Sequence, residues 1–334
     1  MNKIKATITA VGHYVPEKKL TNLDLEKIIE TSDEWIKSRT GISERRIQTD
    51  GATSDLCVKA IESILRQRKI SAEEIDVIIV ATVTPDMFFP ATACLVQNKI
   101  GAKNAWGFDL SAACSGFTYA LSVGSQLIEA GRYKKIIVVG ADKMSSIVDY
   151  TDRNTCILFG DGAGAVLLEP SIENNFGIID HKLYCDGNGK DFLHMKAGGS
   201  LLPSSQDTID KKLHYIFQDG KSVFKVAVLG MANVSAEIME RNNLKGDDVA
   251  WLVPHQANLR IIDACAERMN VDKSKVMINI EKYGNTTAAT IPLCLSEWYQ
   301  SGKIKKGDNL ILASFGAGYT WGAVYVKWSM ELPS

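Results

Sequence analysis

The 334-residue chain is 46% hydrophobic and sets 38 Lys plus Arg against 39 Asp plus Glu, a net charge of -1. That is apolar sequence enough for one large core or two packed domains, and it offers no bulk electrostatic case for nucleic acid or an anionic membrane as partner. No apolar run reaches the length of a bilayer span, Met1 to Ala10 lacks a signal-peptide core, and the seven scattered cysteines show neither Cys-x-x-Cys nor a His at metal-ligand spacing; the expectation is a cytosolic protein without disulfides or bound metal.

In chain order, Ala6 to Val11 reads as a strand and Thr21 to Ile29 as a helix, and Thr31-Ser32-Asp33-Glu34 fits a capping box opening a short helix to Arg39. Asp55 to Arg68 is an amphipathic helix with Leu56, Ala60, Ile61, Ile64 and Leu65 on one face, and Ile75 to Ala81 is an apolar run suited to a buried strand. A strand ending near Leu110 then meets small residues, and Phe117, Ala120, Leu121, Leu127 and Ile128 recur at helical spacing up to Gly131. Lys135 to Gly140 is a further buried strand. Gly160-Asp161-Gly162-Ala163-Gly164 leads into the strand Ala165 to Leu168 instead of opening a helix, so it reads as a close-packed bend and not as a dinucleotide fingerprint.

Residues 176–222 are rich in Gly, Asp, Ser and Lys and predict an irregular segment covering a site. Val223 to Leu244 predicts a long helix. The earlier order then recurs: strand Val249 to Val253, helix Leu259 to Met269, strand Val276 to Ile280, a helix from Thr286, strand Leu310 to Ser314. Val77 precedes Cys114 by about as many residues as Val249 precedes Asn285, as in a duplicated unit that makes Asn285 the counterpart of Cys114. The expected division is 1–172 and 173–334, in stacked α/β layers around mainly parallel sheets.

Three stretches carry chemistry. Cys114 stands among Ser111, Ala112, Ala113, Ser115 and Gly116, near a helix start whose unpaired amides favour a thiolate, with room for a sharp turn and an approaching substrate. His255, in Val253-Pro254-His255-Gln256-Ala257-Asn258, directly follows a buried strand, and Asn285, in Gly284-Asn285-Thr286, stands at a helix start where it can also be a plain N-cap. A papain-like hydrolase also orders Cys, His and Asn in this way, but its Cys-Gly-Ser/Ala-Cys-Trp/Tyr signature is missing.

These residues, with Thr31 to Ile36, Arg39 to Ile42, Asp109 to Phe117, Phe159 to Gly164, Pro254 to Asn258, Gly284 to Thr286 and Phe315 to Gly322, closely resemble β-ketoacyl-acyl-carrier-protein synthase III of the thiolase-like superfamily. The resemblance implies an α/β, thiolase-like duplicated fold with α/β/α/β/α layers. It implies a catalytic Cys114, His255 and Asn285; ping-pong condensation of an acyl-CoA with malonyl-acyl carrier protein through an acyl-Cys114 thioester; and His255 and Asn285 as donors to the enolate formed on decarboxylation. The backbone amides of Cys114 and Ala317 would form the oxyanion hole. Trp35, Arg39, Arg153 and Asn258 would contact CoA, a substrate here and not a resident cofactor, and Lys225 and Arg260 would receive the carrier protein. The resemblance further implies a homodimer in which Phe89 floors the partner's acyl pocket and favours acetyl-CoA. A related acyltransferase, or a condensing enzyme of secondary metabolism, shares the same residues.

Overall fold

Buried β-branched runs build two sheets, and the helices between them set the layers. In the computed structural model, which describes residues 4–171, 173 and 175–333, the first half opens with β1 (Ala6–Tyr14) and a two-stranded pair, β2 (Lys19–Thr21) and β3 (Glu44–Arg46), which encloses α1 (Asn22–Leu25) and α2 (Asp33–Thr40). There follow α3 (Thr53–Arg68), β4 (Val77–Ala81), α4 (Thr92–Ile100), β5 (Trp106–Leu110), α5 (Gly116–Glu129), β6 (Ile136–Asp142) and β7 (Gly162–Pro170). The second half runs through β8 (Gly177–Cys185), β9 (Leu193–Met195), α6 (Gln206–Asp210), β10 (Ile216–Gln218), α7 (Gly220–Arg241), β11 (Trp251–Pro254), α8 (Leu259–Met269), α9 (Ile280–Tyr283) and α10 (Thr290–Gln300), closing on the hairpin β12 (Asn309–Gly316) and β13 (Thr320–Lys327).

The sheets are ordered β1-β7-β6-β4-β5 and β11-β12-β13-β8. In the first, β5, β4 and β6 are parallel while β7 and β1 turn antiparallel; in the second, β11 and β12 are parallel while β13 and β8 turn antiparallel. Even the irregularity repeats: the β1–β7 register slips after Ile8 opposite Leu168, and the β13–β8 register slips after Ile178 opposite Val326. The sheets are therefore mixed and not mainly parallel, because a loop as short as that between β12 and β13 can only return the chain antiparallel.

Helices α5 and α10 lie between the sheets, with Phe117, Leu121, Ile291 and Leu295 packed on Val138, Val166, Leu312 and Val324. Helices α3 and α4 cover the outer face of the first sheet, and α7 and α8 that of the second, giving five layers. By length and composition α7 could cross a bilayer, but Val223, Ala227, Met231, Val234 and Ile238 are buried against its own sheet and α8.

Each central helix is entered through a tight 3-10 turn, Ala113–Ser115 before α5 and Thr287–Ala289 before α10. Both turns begin on a left-handed non-glycine residue, Ala113 at φ 49° and Thr287 at φ 51°. Ala113 follows the first residue of β4 by as many positions as Thr287 follows the first residue of β11. The counterpart of Cys114 is therefore Ala288, and not Asn285 as the spacing suggested; Asn285 stands before the equivalent turn.

Four further expectations change. Helix α1 stops at Leu25, short of Ile29. Ser32 alone caps α2, its Oγ accepting from the Trp35 amide at 3.1 Å, while the Thr31 hydroxyl has no partner. Val276 makes a single bridge to Leu252 and no strand to Ile280 forms: the fully buried Gln256 side chain takes the partner's place, donating to the Met277 carbonyl and accepting from the Asn279 amide. Residues 177–185 of the expected covering segment are the edge strand β8, whose polar alternation hid it; from 186 to 219 only short elements occur. The expected boundary at 172/173 falls on Ile172, outside the described residues.

The two halves meet backbone to backbone. A Cβ on Gly140 of β6 would lie 2.1 Å from the Ala288 carbonyl oxygen, so no side chain fits there. Gly140→Ala should push the turn off the strand and cost roughly 1 to 3 kcal/mol or more, read as a lower midpoint in urea unfolding; an unchanged midpoint would show that the turn can yield.

Candidate active site

The turn that bears Cys114 is held from both sides. Ala112 and Ala113 bend the chain sharply after β5, the Ser115 hydroxyl donates to the Thr320 carbonyl at 3.0 Å, and the Thr320 hydroxyl lies 2.7 Å from the Ala112 carbonyl and 3.1 Å from that of Ala317. The end of β12 abuts the turn so closely that a Cβ on Gly316 would stand 2.6 Å from the Cys114 amide nitrogen. Ala317 has a negative φ, which an alanine adopts without strain. These contacts fix the Cys114 turn against the chain at Gly316 and Ala317.

His255 and Asn285 come from the other half. The His255 amide donates to the Ala313 carbonyl at 2.7 Å, continuing the β11–β12 ladder, and its Nδ1 lies 2.8 Å from the Thr290 hydroxyl. Asn285 is clamped to the segment before β7: its amide donates to the Leu158 carbonyl and its carbonyl accepts from the Gly160 amide. That segment is tied down by Arg45, a fully buried guanidinium that donates to the carbonyls of Ile157 and Leu20 and to the Asn22 side chain. Asn285 Oδ1 accepts from the Thr287 amide at 2.8 Å, and because an N–H can donate only to the oxygen, the side-chain nitrogen is the end left to face the Cys114 sulfur.

Cys114, His255, Asn285, Gly316 and Ala317 all line one cavity of about 850 Å³. Val83, Met144, Ile147, Leu193, Met195, Val223 and Met231 make much of its wall apolar, and Trp35, Arg39, Lys221, Asn258 and Arg260 also line it. Among the described residues no group of His, Cys, Asp and Glu is placed to hold a metal.

Burial dominates the electrostatics. It pushes the Cys114 thiol up to about 12, with the charge of nearby Asp142 adding to the effect and the turn's amide and Asn285 opposing it. Cys114 still touches the cavity, but the atoms packed around its sulfur exclude bulk water, and that governs its charge. Burial also lowers His255 to about 3. The expectation of a thiolate preset by the helix start is corrected: at neutral pH the pair rests as thiol and neutral imidazole.

Toward solvent, Trp35 is flanked by two guanidiniums, with Arg153 Cζ 4.4 Å and Arg39 Cζ 4.9 Å from the ring centroid. Arg153 also donates to the Glu30 carbonyl and does not line the cavity. Both polar ends of Asn258 are engaged, its nitrogen with the Arg39 carbonyl and its oxygen with the Arg260 amide, so it ties α2 to the start of α8. Arg260 stacks 5.0 Å from Phe224. Lys225 is not brought to this cavity; it lines a separate surface cleft with Tyr184, Glu237 and Trp321. Phe89 is exposed at the tip of a loop with Met87 and Phe88, and does not line the cavity of its own chain. Sequence reasoning missed Thr287, Thr290, Lys221 and Asp142; only Asp142 left a signal, a charge ending an otherwise apolar strand.

A cysteine-bearing turn from one half of a duplicated five-layer fold, sharing one cavity with a His and an Asn from the other, places the chain with the thiolase-like condensing class. The family 3-oxoacyl-[acyl-carrier-protein] synthase III matches residues 108–187, and its C-terminal region matches residues 239–328. A β-ketoacyl-[acyl-carrier-protein] synthase III of Chlorobium luteolum is 62% identical over 97% of this chain and 100% of its own length. Among solved structures, 3-oxoacyl-[acyl-carrier-protein] synthase III from Aquifex aeolicus superposes with a TM-score of 0.89 at 44% identity, covering 97% of this chain and 100% of that one. The priming β-ketosynthase of the R1128 polyketide biosynthetic pathway gives 0.90 at 34%, over 98% and 97%. The chain belongs to the 3-oxoacyl-[acyl-carrier-protein] synthase III family.

A thiol held far above neutrality exposes more thiolate as pH rises, with no plateau until the pKa is reached. Alkylation of Cys114 by iodoacetamide, followed on its own peptide by mass spectrometry, should therefore quicken about tenfold per pH unit from about pH 6 to about pH 9. A rate already flat at neutral pH would mean a preformed thiolate.

Proposed function

We propose that this protein initiates fatty acid synthesis by decarboxylative Claisen condensation of an acyl-CoA primer with malonyl-acyl carrier protein, giving 3-oxoacyl-carrier protein, CoA and CO2. The observation that carries this reading is the convergence of Cys114, His255 and Asn285 on one largely apolar cavity that also reaches Trp35, Arg39 and Arg260. A hydrolase needs water at its acyl-enzyme; an apolar wall keeps water out and lets a carbon nucleophile compete.

In the first half-reaction the Cys114 sulfur attacks the primer carbonyl, its proton is handed on to the CoA sulfur that departs, and the tetrahedral oxyanion rests on the amides of Cys114 and Ala317. Collapse breaks the bond to the CoA sulfur, which leaves with a proton. Malonyl-carrier then enters. Loss of CO2 leaves an enolate, with His255 and Asn285 as the polar groups placed to meet its oxygen. The enolate carbon attacks the acyl-Cys114 carbonyl, the carbon–sulfur bond breaks, and the sulfur regains a proton.

CoA is a substrate, its adenine lying against Trp35 once the Arg153 guanidinium is displaced from the ring, its phosphates meeting Arg39. Asn258 borders the channel. Arg260, with Lys225 on the neighbouring cleft, offers positive charge to an acidic carrier protein. The enzyme works in the cytosol as a homodimer whose subunits each divide near 172/173, and a second copy covers Met87, Phe88 and Phe89.

Two tests follow. Cys114→Ser should fold but take no acetyl label from acetyl-CoA, because an alcohol is a far weaker nucleophile, whereas Asn285→Ala should still label yet release CO2 from malonyl-carrier about 10²-fold more slowly. Labelled Cys114→Ser, or unimpaired CO2 release from Asn285→Ala, would refute the roles.

Primer choice tests Phe89. The wild type should prefer acetyl-CoA, and Phe89→Ala should raise kcat/KM for butyryl- and isobutyryl-CoA relative to acetyl-CoA, since each methylene refused by a pocket is worth about 1 to 3 kcal/mol. A wild type that prefers isobutyryl-CoA would place the floor of the pocket elsewhere.

A further inference from the structure

Among the described residues, Thr287 links His255 to Asn285. Its amide donates to Asn285 Oδ1 at 2.8 Å, and its carbonyl accepts from the Thr290 hydroxyl at 3.0 Å, the same hydroxyl that lies 2.8 Å from His255 Nδ1. For both contacts to hold, the peptide groups on either side of Thr287 must keep one orientation. That orientation is the left-handed one, φ 51°, which a β-branched residue adopts only under constraint.

Packing between the halves gives Ala113 the same conformation, and the Thr287 side chain adds a tether of its own. Its hydroxyl donates to Oδ2 of Asp142, the fully buried residue that ends β6 in the other half. Asp142 cannot shift to follow it, because Oδ1 accepts from the Thr82 hydroxyl (2.9 Å), the Val83 amide (2.8 Å), the Thr84 amide (3.0 Å) and the Thr84 hydroxyl (2.8 Å). One oxygen anchors the carboxylate to the loop after β4, and the other holds Thr287. Neither Asp142 nor Thr287 Oγ1 is needed by any step of the condensation, and buried carboxylates without a role are rare because their desolvation is costly.

We infer that Thr287, anchored across the halves by its hydrogen bond to Asp142, is the positioning residue that aims Asn285 and His255 at the malonyl thioester, and so supports decarboxylation more than acylation. Acyl transfer to Cys114 draws on the Cys114 and Ala317 amides, which are fixed from the opposite side by Thr320 and Ser115. The inference rests on the condensing activity proposed above.

The test separates the half-reactions. Thr287→Gly keeps the amide and carbonyl and permits positive φ, so the fold is retained, but it removes the hydroxyl anchor. Acetyl transfer from acetyl-CoA to Cys114, timed by intact-protein mass spectrometry, should stay within about threefold of wild type, while CO2 release from malonyl-carrier falls about tenfold or more, the cost of loosening an aligned donor. Thr287→Ser restores the anchor and should return CO2 release to within about threefold of wild type. Unchanged CO2 release in Thr287→Gly, an equal fall in both half-reactions, or no recovery in Thr287→Ser would each overturn the inference. A wild-type enzyme that releases no CO2 from malonyl-carrier would instead remove the activity on which it rests.

Discussion

Close approach of backbone to backbone between the two halves is the contact on which the site depends. The Ala288 carbonyl rests on Gly140 and the Cys114 amide rests beside Gly316, each at a separation no Cβ could share. Each 3-10 turn is thereby pressed onto the central strand of the opposite sheet. Since one turn bears Cys114 and the other follows Asn285, the same packing that joins the halves brings these two residues to one cavity. Two left-handed residues, Ala113 and Thr287, absorb the backbone strain of this arrangement, as is common where a fold over-determines a functional turn.

Burial then sets the chemistry. A cysteine with its thiol pushed up and a histidine with its imidazole pushed down rest as a neutral pair, in contrast to the ion pair of an exposed Cys-His protease. A neutral site draws less water. Asp142 marks the limit of this economy: burial raises its carboxyl pKa while its hydrogen-bond donors lower it again, and its residual charge works against a Cys114 thiolate. It gives no help to the sulfur; what it holds is Thr287 and the loop after β4.

Positive charge is confined to the outer reaches of the cavity. Arg39, Lys221 and Arg260 are exposed and line it with Trp35 and Phe224, Arg153 stands beside Trp35 outside the lining, and Val83, Met144, Ile147 and Phe315 make other parts of the wall apolar. A long substrate with an anionic head and an apolar, thioester-bearing tail meets each kind of surface in turn. The near-neutral net charge of the chain conceals this separation, because equal numbers of charges say nothing about where they lie.

The alternation of strands and helices, the repeat of spacing, and the three chemical stretches around Cys114, His255 and Asn285 are legible in the residues alone. Those signals are local: apolar periodicity, small residues at a turn, a polar side chain directly after a buried strand. They misjudge elements whose partners are distant. Strand β8 alternates with polar residues because it is an edge, and the stretch after Val276 stays out of the sheet because the Gln256 side chain takes a strand's place. The fold makes Ala288, and not Asn285, the counterpart of Cys114, since that equivalence lies in dihedral angles and not in residue type. It likewise decided the protonation of the site, because desolvation depends on every element packed around the sulfur and the ring. The bond from Asp142 to Thr287 spans 145 residues, and no local pattern could have joined a charge at the end of one strand to a hydroxyl in a turn of the other half.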